Sequence, residues 1–345
     1  MTRTPKESLL ALSTRMISAV GLPRFLHSQF YGNGLSILQY HAVIREPLQF
    51  PDWCFLDERA FRSQIAYVKR RFHVVTLREA VELLTVGTTA EPILAITFDD
   101  GYQNNYDIAF PILQEYECPA TIFLTTRYVN GDDTPWFCRL NIAFELTGER
   151  SLLWNGVTYD LSTPVRKSRA NNTLHELVKK HHPYEIDDLV TDICHKLAAD
   201  DCRSTQPGSP YSMLSIESIR AMLDSGLVAF GAHTHNHSVL CRLAPQEQQE
   251  EILRSLQLVE KFTGQPSRTF SYPNGSYDQI TVELLKSAGV TLAVSTVQGA
   301  NTSTTPFLEL RRYGVGSDLS IAEFESLVHG VYHRIRAFGS YAAPR

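Results

Sequence analysis

The stretch that most constrains this chain is Ile93–Tyr102, I-L-A-I-T-F-D-D-G-Y. A short apolar, β-branched run ends abruptly in two carboxylates and a glycine, as expected of a buried parallel strand that stops at a turn. Asp99 and Asp100 then fall at the strand's C-terminal edge, where α/β proteins collect their chemistry. Gly101 supplies the backbone freedom for a sharp turn. Neighbouring carboxylates at such an edge are able to divide labour, one binding a cation and the other moving protons. The plainer reading is a strand-to-helix turn in which an Asp caps a helix around Ile108–Tyr116. The rest of the chain decides between them.

On either side, strand and helix signals alternate. Leu35–Val43 reads as a strand that delivers His41 near its C-terminal end. Leu56–Phe72 has helical apolar spacing, with Asp57 as its N-cap. A strand at His73–Thr76 and a helix at Arg78–Thr85 lead into Ile93, and a strand at Ala120–Thr125 follows the helix that ends at Tyr116. After a break come a helix at Ile216–Ser225 and a strand at Val228–Ala232. The helix Pro245–Phe262 has proline at its start and Gly264 past its end. Strand Arg268–Tyr272, helix Tyr277–Ala288, strand Thr291–Ser295, strand Leu308–Val315 and a helix from Ile321 to near Arg334 complete the series. His329 and His333, four apart in that last helix, read as a solvated or packing face. This alternation predicts a parallel sheet or barrel. With seven or eight strands, an α/β barrel over residues 35–345 is the economical architecture.

Between about Arg127 and Tyr211 the alternation stops. Helical stretches near Arg139–Leu146, Leu174–Lys180 and Ile186–Ala199, then a linker-like Ser204–Pro210, predict a mostly helical insertion on the catalytic face that shapes the substrate cleft. Its His175, His181, His182 and His195 fit solvated helix faces better than metal ligation.

Composition narrows the class. A 345-residue chain with 43% apolar content can bury a sizeable core. A net charge of −5, with both signs spread along the chain, has nothing of a nucleic-acid binder's basic patch. No apolar run approaches the roughly 20 residues that span a membrane. Met1–Leu26 mixes Leu and Ile with Arg3, Lys6, Arg15 and Arg24. Arg15 interrupts what would be a signal-peptide core, and no small-residue cleavage site follows. Residues 1–34 are thus expected to form a helical segment that packs on the protein or rests on a membrane surface as a basic amphipathic helix. Six scattered cysteines without a C-x-x-C pair suit reduced thiols. The expected location is cytoplasmic, with peripheral membrane contact left open.

Chemistry concentrates after the strand Val228–Ala232, in His233, Thr234, His235, Asn236 and His237. Four apart, His233 and His237 share one side of a helical turn and are placed to share a cation. In extended backbone His235 would pair with either neighbour. With Asp100 the set becomes two imidazoles and one carboxylate. Catalytic zinc takes three protein ligands and keeps a position open for water, which it acidifies while polarising a carbonyl. Asp99 is then free as general base. The arrangement predicts hydrolysis of an amide or ester.

T-F-D-D-G at Thr97–Gly101, H-T-x-x-H at His233–His237 and F-S-Y-P-N-G at Phe270–Gly275, in this order, resemble the polysaccharide deacetylases with a NodB-type domain, carbohydrate esterase family 4. The resemblance runs from about Ser36 to Val315, outside the middle insertion. It implies a distorted (β/α) barrel, one divalent metal, usually Zn2+, and removal of acetyl from N-acetylated amino sugars. It implies Asp99 as base, Asp100, His233 and His237 as metal ligands, and the main-chain N–H of Asn274 as a donor to the oxyanion. The family arginine expected at position 271 is replaced by Ser271. Arg312 is the candidate substitute, since it shares strand parity with Leu308 and Leu310 and faces the interior, where it needs a carboxylate partner. The family's late Leu-x-His motif, as a source of the general acid, is not evident near the C-terminus, where His329 reads as part of a solvated or packing helix face. His41, in I-L-Q-Y-H, resembles it moved to the N-terminus, as in the poly-N-acetylglucosamine deacetylase branch, and is the candidate general acid. Among the aromatics (Tyr40, Trp53, Trp136, Phe137, Tyr272), Trp136 and Tyr272 are the candidates for stacking on a sugar.

The leading reading is a metal-dependent deacetylase of an N-acetylated sugar in a cell-surface glycan or its precursor. Alternatives are the same machinery on a formamido sugar or cyclic amide, and a catalytically silent glycan-binding protein.

Overall fold

The computed structural model describes residues 16, 21–30, 34–87, 91–131, 133–200, 202 and 208–332. The readings of residues 1–15 and 17–20, of 203–207 and of His333 lie outside them. In chain order the strands are β1 (Leu35–Tyr40), β2 (Ala42–Ile44), β3 (Phe55–Asp57), β4 (His73–Val74), β5 (Ile93–Phe98), β6 (Ala120–Leu124), β7 (Ser151–Trp154), β8 (Val157–Asp160), β9 (Val228–Ala232), β10 (Thr269–Ser271), β11 (Leu292–Val294) and β12 (Tyr313–Gly314). Eight of them form one sheet, β11-β10-β9-β6-β5-β1-β12, with β4 beside the start of β5. Its ladders are all parallel. Every residue of β1, β5 and β6 is buried, which is why these strands read as unbroken apolar runs rather than alternating ones.

The sheet curls, and the chain from Phe307 to Val315 ties its edges together. Ala293 and Ser295 N–H donate to the carbonyls of Phe307 and Leu310, both at 2.8 Å, and Leu310 N–H donates to Ala293 O at 3.0 Å. Farther on, Tyr313 and Gly314 pair with β1. The strand expected over Leu308–Val315 is therefore short, because its first half bonds one edge and its second half the other. The result is the distorted (β/α) barrel, with helices such as Glu58–Arg71, Leu77–Val86 and Pro245–Thr263 between the strands.

Two expectations change at the C-terminal edge of the sheet. The single strand Leu35–Val43 divides at His41. There Asn105 Nδ2 donates to His41 O at 2.6 Å and Val43 N–H donates to Asn104 Oδ1 at 3.1 Å, so side chains replace the ladder and β2 leaves to pair with β3. The helix expected from Ile108 opens earlier, as a π-helical turn over Asn105–Ala109 before Phe110–Glu115. Pro111 has no N–H to give the preceding turn, and a wider turn accommodates it.

The insertion contains helices Trp136–Leu146, Pro164–Val178 and Ile186–Lys196. It also contains a hairpin, β7–β8, that the sequence reading lacked. Asn155 and Gly156, at φ +48° and +74°, form the two-residue turn that Asn-Gly favours. Leu140, Phe144, Leu174, Val190 and Ile193 give this unit its own core, joined by Phe50 and Phe55 from the barrel loops. Helix Leu22–Phe30, within the segment expected over 1–34, buries His27 against Phe72 and His329. Among the described residues no helix is long and apolar enough to cross a membrane.

Candidate metal and catalytic centre

Asp100 stands second in the loop after β5, at φ +73°, and Gly101 follows at φ +85°. A Cβ at Gly101 would stand 2.9 Å from Leu124 Cδ2, so both backbone geometry and space demand glycine there. The turn aims the Asp100 carboxylate at the loop after β9. His233 Nε2 lies 3.5 Å and His237 Nε2 3.4 Å from Asp100 Oδ1, and one ligand atom from each residue falls within 4.8 Å of the others.

The histidines do not meet on a helical turn, as their spacing predicted. They lie in a loop in which Thr234 and His237 take φ +61° and +59°. Glu251, from the helix Pro245–Thr263, holds that loop. Its Oε2 accepts the N–H groups of His235 and Asn236 at 2.9 and 3.0 Å, and Oε1 accepts from Asn236 Nδ2. Thr234 Oγ1 accepts from Ser238 N–H at 3.1 Å. His235 turns away to Thr126 Oγ1, which leaves His233 and His237 as the pair beside Asp100.

These groups fit a divalent cation. His233 Nδ1 lies 2.7 Å from the Ser271 carbonyl, which accepts only from a protonated Nδ1 and so leaves the Nε2 lone pair facing Asp100. Burial pushes the His233 pKa down to about 4, despite Asp99 pulling it up, so the ring is neutral as a ligand requires. Asp100 Oδ1 is buried and accepts no hydrogen bond. Burial pushes this carboxyl up, but His237, His41 and His233 together hold it below its ordinary pKa.

Asp99 is held separately. Arg312, fully buried, donates from Nη1 to Asp99 Oδ1 at 2.8 Å and from Nη2 to Oδ2 at 2.7 Å. Its other donors reach Ser295 O, Thr97 Oγ1 and Ser271 Oγ, so all five N–H groups are used. Ser271 is small enough to admit this guanidinium and accepts one of its bonds. Gln39 Nε2 adds a third bond to Asp99, at 2.9 Å to Oδ2. Burial alone would raise the Asp99 pKa, but Arg312, His233 and His41 hold it far below the usual carboxylate range.

A cleft of about 460 Å³ opens beside this centre and reaches it at Asp100 and His237. His41, Asp100, His237 and Asn274 line it on the barrel side. The His41 ring meets Trp53 edge-on at 5.0 Å, and Asn274 sits at φ +56°. Trp136 and Phe137 also line the cleft, with Phe137 5.1 Å from the His237 ring. Tyr272 does not line it. It is fully buried, stacks on Tyr277 and donates to Leu308 O at 2.7 Å, because strand alternation puts it on the face opposite Ser271, among the helix-facing apolar residues. Tyr40 is likewise core, bonded to Gln64.

Gln39, Glu251 and Asn171 escaped the sequence reading. Gln39 had a signal, a lone amide in an apolar buried run. Glu251 had a weaker one, a charge on the same helical face as Ile252, Ser255 and Val259. His175 was read as solvated, but it is half-buried and lines the cleft.

A curled parallel barrel whose strand ends gather a carboxylate pair and two imidazoles defines a class of hydrolase scaffold, and its relatives give that class a name. Residues 86–151 and 188–293 match the family described as polysaccharide deacetylase, and the chain belongs to that family. It is 22% identical over 300 residues to YxkH of Bacillus subtilis, named as a polysaccharide deacetylase, covering 86% of this chain and 77% of that protein. A shorter match, 35% over 88 residues, joins 25% of this chain to 29% of the poly-beta-1,6-N-acetyl-D-glucosamine N-deacetylase of Staphylococcus epidermidis. In fold it resembles the Streptococcus pyogenes deacetylase PplD, solved with acetate, at a TM-score of 0.58 and 18% identity over 86% of this chain and 98% of that one.

Proposed function

We propose that this protein is a metal-dependent hydrolase that removes an N-acetyl group from an amino sugar in a cell-surface glycan or its precursor. The observation that carries the reading is the meeting of Asp100, His233 and His237 at the edge of an open cleft, beside a carboxylate that needs no metal to hold it. Family membership and the local likeness to an N-acetylglucosamine deacetylase support the substrate class.

Asp100, His233 and His237 would hold the cation, with two imidazoles and a carboxylate favouring zinc. Bound there, the metal supplies Lewis acidity toward the acyl carbonyl and a lowered water pKa, near 7. Asp99 takes the proton of the attacking water at Oδ1, the oxygen with the fewer hydrogen bonds. Arg312 fixes that carboxylate in place and keeps it ionised, in the role the family gives to an arginine at position 271. His41 gives a proton to the departing amine, as in the N-terminal Tyr-His branch. The Asn274 main-chain N–H steadies the developing oxyanion, and Trp136 offers an apolar face to the sugar.

Acetate release from a panel of N-acylated sugars tests this, with metal content measured alongside. Asp99→Asn is expected to retain metal and lose turnover by about 10³-fold or more, and Asp100→Ala to lose most of its metal. Full activity in either variant overturns the mechanism.

A further inference from the structure

The cleft has a wall that the barrel does not supply. The family match skips residues 152–187 between its two blocks. Inside that gap the helix Pro164–Val178 puts Asn171 and His175, one turn apart, against the cleft.

Asn171 is only 2% exposed. Its Nδ2 donates to Asn141 Oδ1 at 2.7 Å, and Asn141 Nδ2 in turn faces Asp52 Oδ2 at 3.5 Å. A carboxylate only accepts, so the two amides are ordered in one direction. That order turns Asn171 Oδ1 away from Asn141, where it is buried and has no partner. His175 Nε2 is likewise buried without a partner, beside Trp136 at 5.6 Å between ring centroids. From Trp136 the contacts run through Phe137, at 5.6 Å, to His237. Buried polar atoms are ordinarily paired, and two unpaired ones on one helix face, in a cleft beside an indole, mark a place for a ligand. A pyranose suits it, with C–H groups for the aromatic face and hydroxyls for its edge.

We propose that Asn171 and His175, with Trp136, form a second sugar subsite that reads the hydroxyls of the residue next to the one at the metal centre. The preferred substrate is then an oligosaccharide or longer glycan rather than a monosaccharide. The proposal rests on the deacetylase reading. Asn171 Oδ1 accepts one hydroxyl. Burial pushes the His175 pKa down to about 4, with Asp52 and Glu176 raising and Lys179 lowering it more weakly. The ring thus binds uncharged, which suits a neutral sugar.

The test compares kcat/KM for N-acetylglucosamine and for its tetrasaccharide in native, His175→Ala, His175→Gln and Asn171→Ala proteins. Tetrasaccharide binding to the Asp99→Asn protein, with and without His175→Ala, is measured in parallel by calorimetry. The native protein is expected to prefer the tetrasaccharide. That preference should fall about tenfold in His175→Ala, mainly through KM, as loss of one well-placed hydrogen bond predicts, and His175→Gln should recover most of it. If Asn171→Ala does not fold, the His175 pair carries the test. No preference in the native protein, or a preference untouched by His175→Ala, overturns the subsite. If no N-acyl sugar is turned over, the deacetylase reading falls. Calorimetry then decides the subsite alone, upheld if His175→Ala weakens tetrasaccharide binding and overturned if it does not.

Discussion

Replacing Arg312 by Met separates its two jobs. The guanidinium orients Asp99 and also neutralises it inside a dry barrel. Removing one partner of a buried ion pair costs about 3–5 kcal/mol, and urea unfolding of Arg312→Met should show a loss of that size. Adding Asp99→Asn to the same protein removes the stranded charge and should restore part of the stability, although not the activity. A double variant no more stable than Arg312→Met would show that the pair is not what holds this part of the barrel. His175 gives a pH prediction with a definite sign. Its pKa is about 4 in the folded protein, against about 6.5 unfolded, so the unfolded chain binds more protons between those values. Stability therefore falls as pH drops from 6.5 toward 4, and His175→Gln should flatten that part of the curve of urea midpoint against pH. At this scale the sequence was most informative where chemistry is packed into few positions. Asp99, Asp100, His233 and His237 stand in two short motifs, and among the described residues Asp100, His233 and His237 are the one cluster of this kind. Tyr272 and His175 were misjudged because burial depends on neighbours far away in sequence.

Among the elements, the loop His233–His237 shows how a motif is held. Its residues alone suggested a helical turn. What shapes it is Glu251, whose carboxylate caps two successive N–H groups from a neighbouring helix. Glu251→Gln keeps one acceptor and should weaken metal binding about tenfold, at the mild end of the effect of supporting groups on metal affinity. Chelator competition reads this directly, and affinity equal to native would mean that the loop holds its shape unaided. Helix boundaries were legible where local chemistry sets them: Asp57 caps Glu58–Arg71 and Gly264 ends Pro245–Thr263 at φ +72°. The hairpin β7–β8 was missed although Asn155-Gly156 announces it, because the polar composition around it suggested helices.

For the whole molecule, the alternation of strand and helix made the barrel readable, while its manner of closure was not. Which edge meets which depends on hydrogen bonds between residues far apart, such as Leu310 with Ala293 and Tyr313 with Leu38. The proposed metal also bears on global stability. A cation that binds only the folded chain stabilises it by about 2.7 kcal/mol at a hundredfold excess over its dissociation constant. Dialysis against a chelator should lower Tm by several degrees, and adding zinc back should restore it. An unchanged Tm would argue against occupancy by a tightly bound ion.

The tie from Phe307 to Val315 has a consequence for the order in which the protein becomes competent. Asp99 and the arginine that holds it are 213 residues apart, and that arginine arrives on nearly the last piece of the barrel to leave the ribosome. Until it docks, the carboxylate has no guanidinium to keep it ionised in the interior. On the proposed mechanism, a nascent or C-terminally clipped chain would lack a held base, however complete its proposed metal ligands, and activity would await the meeting of the ends of the sheet.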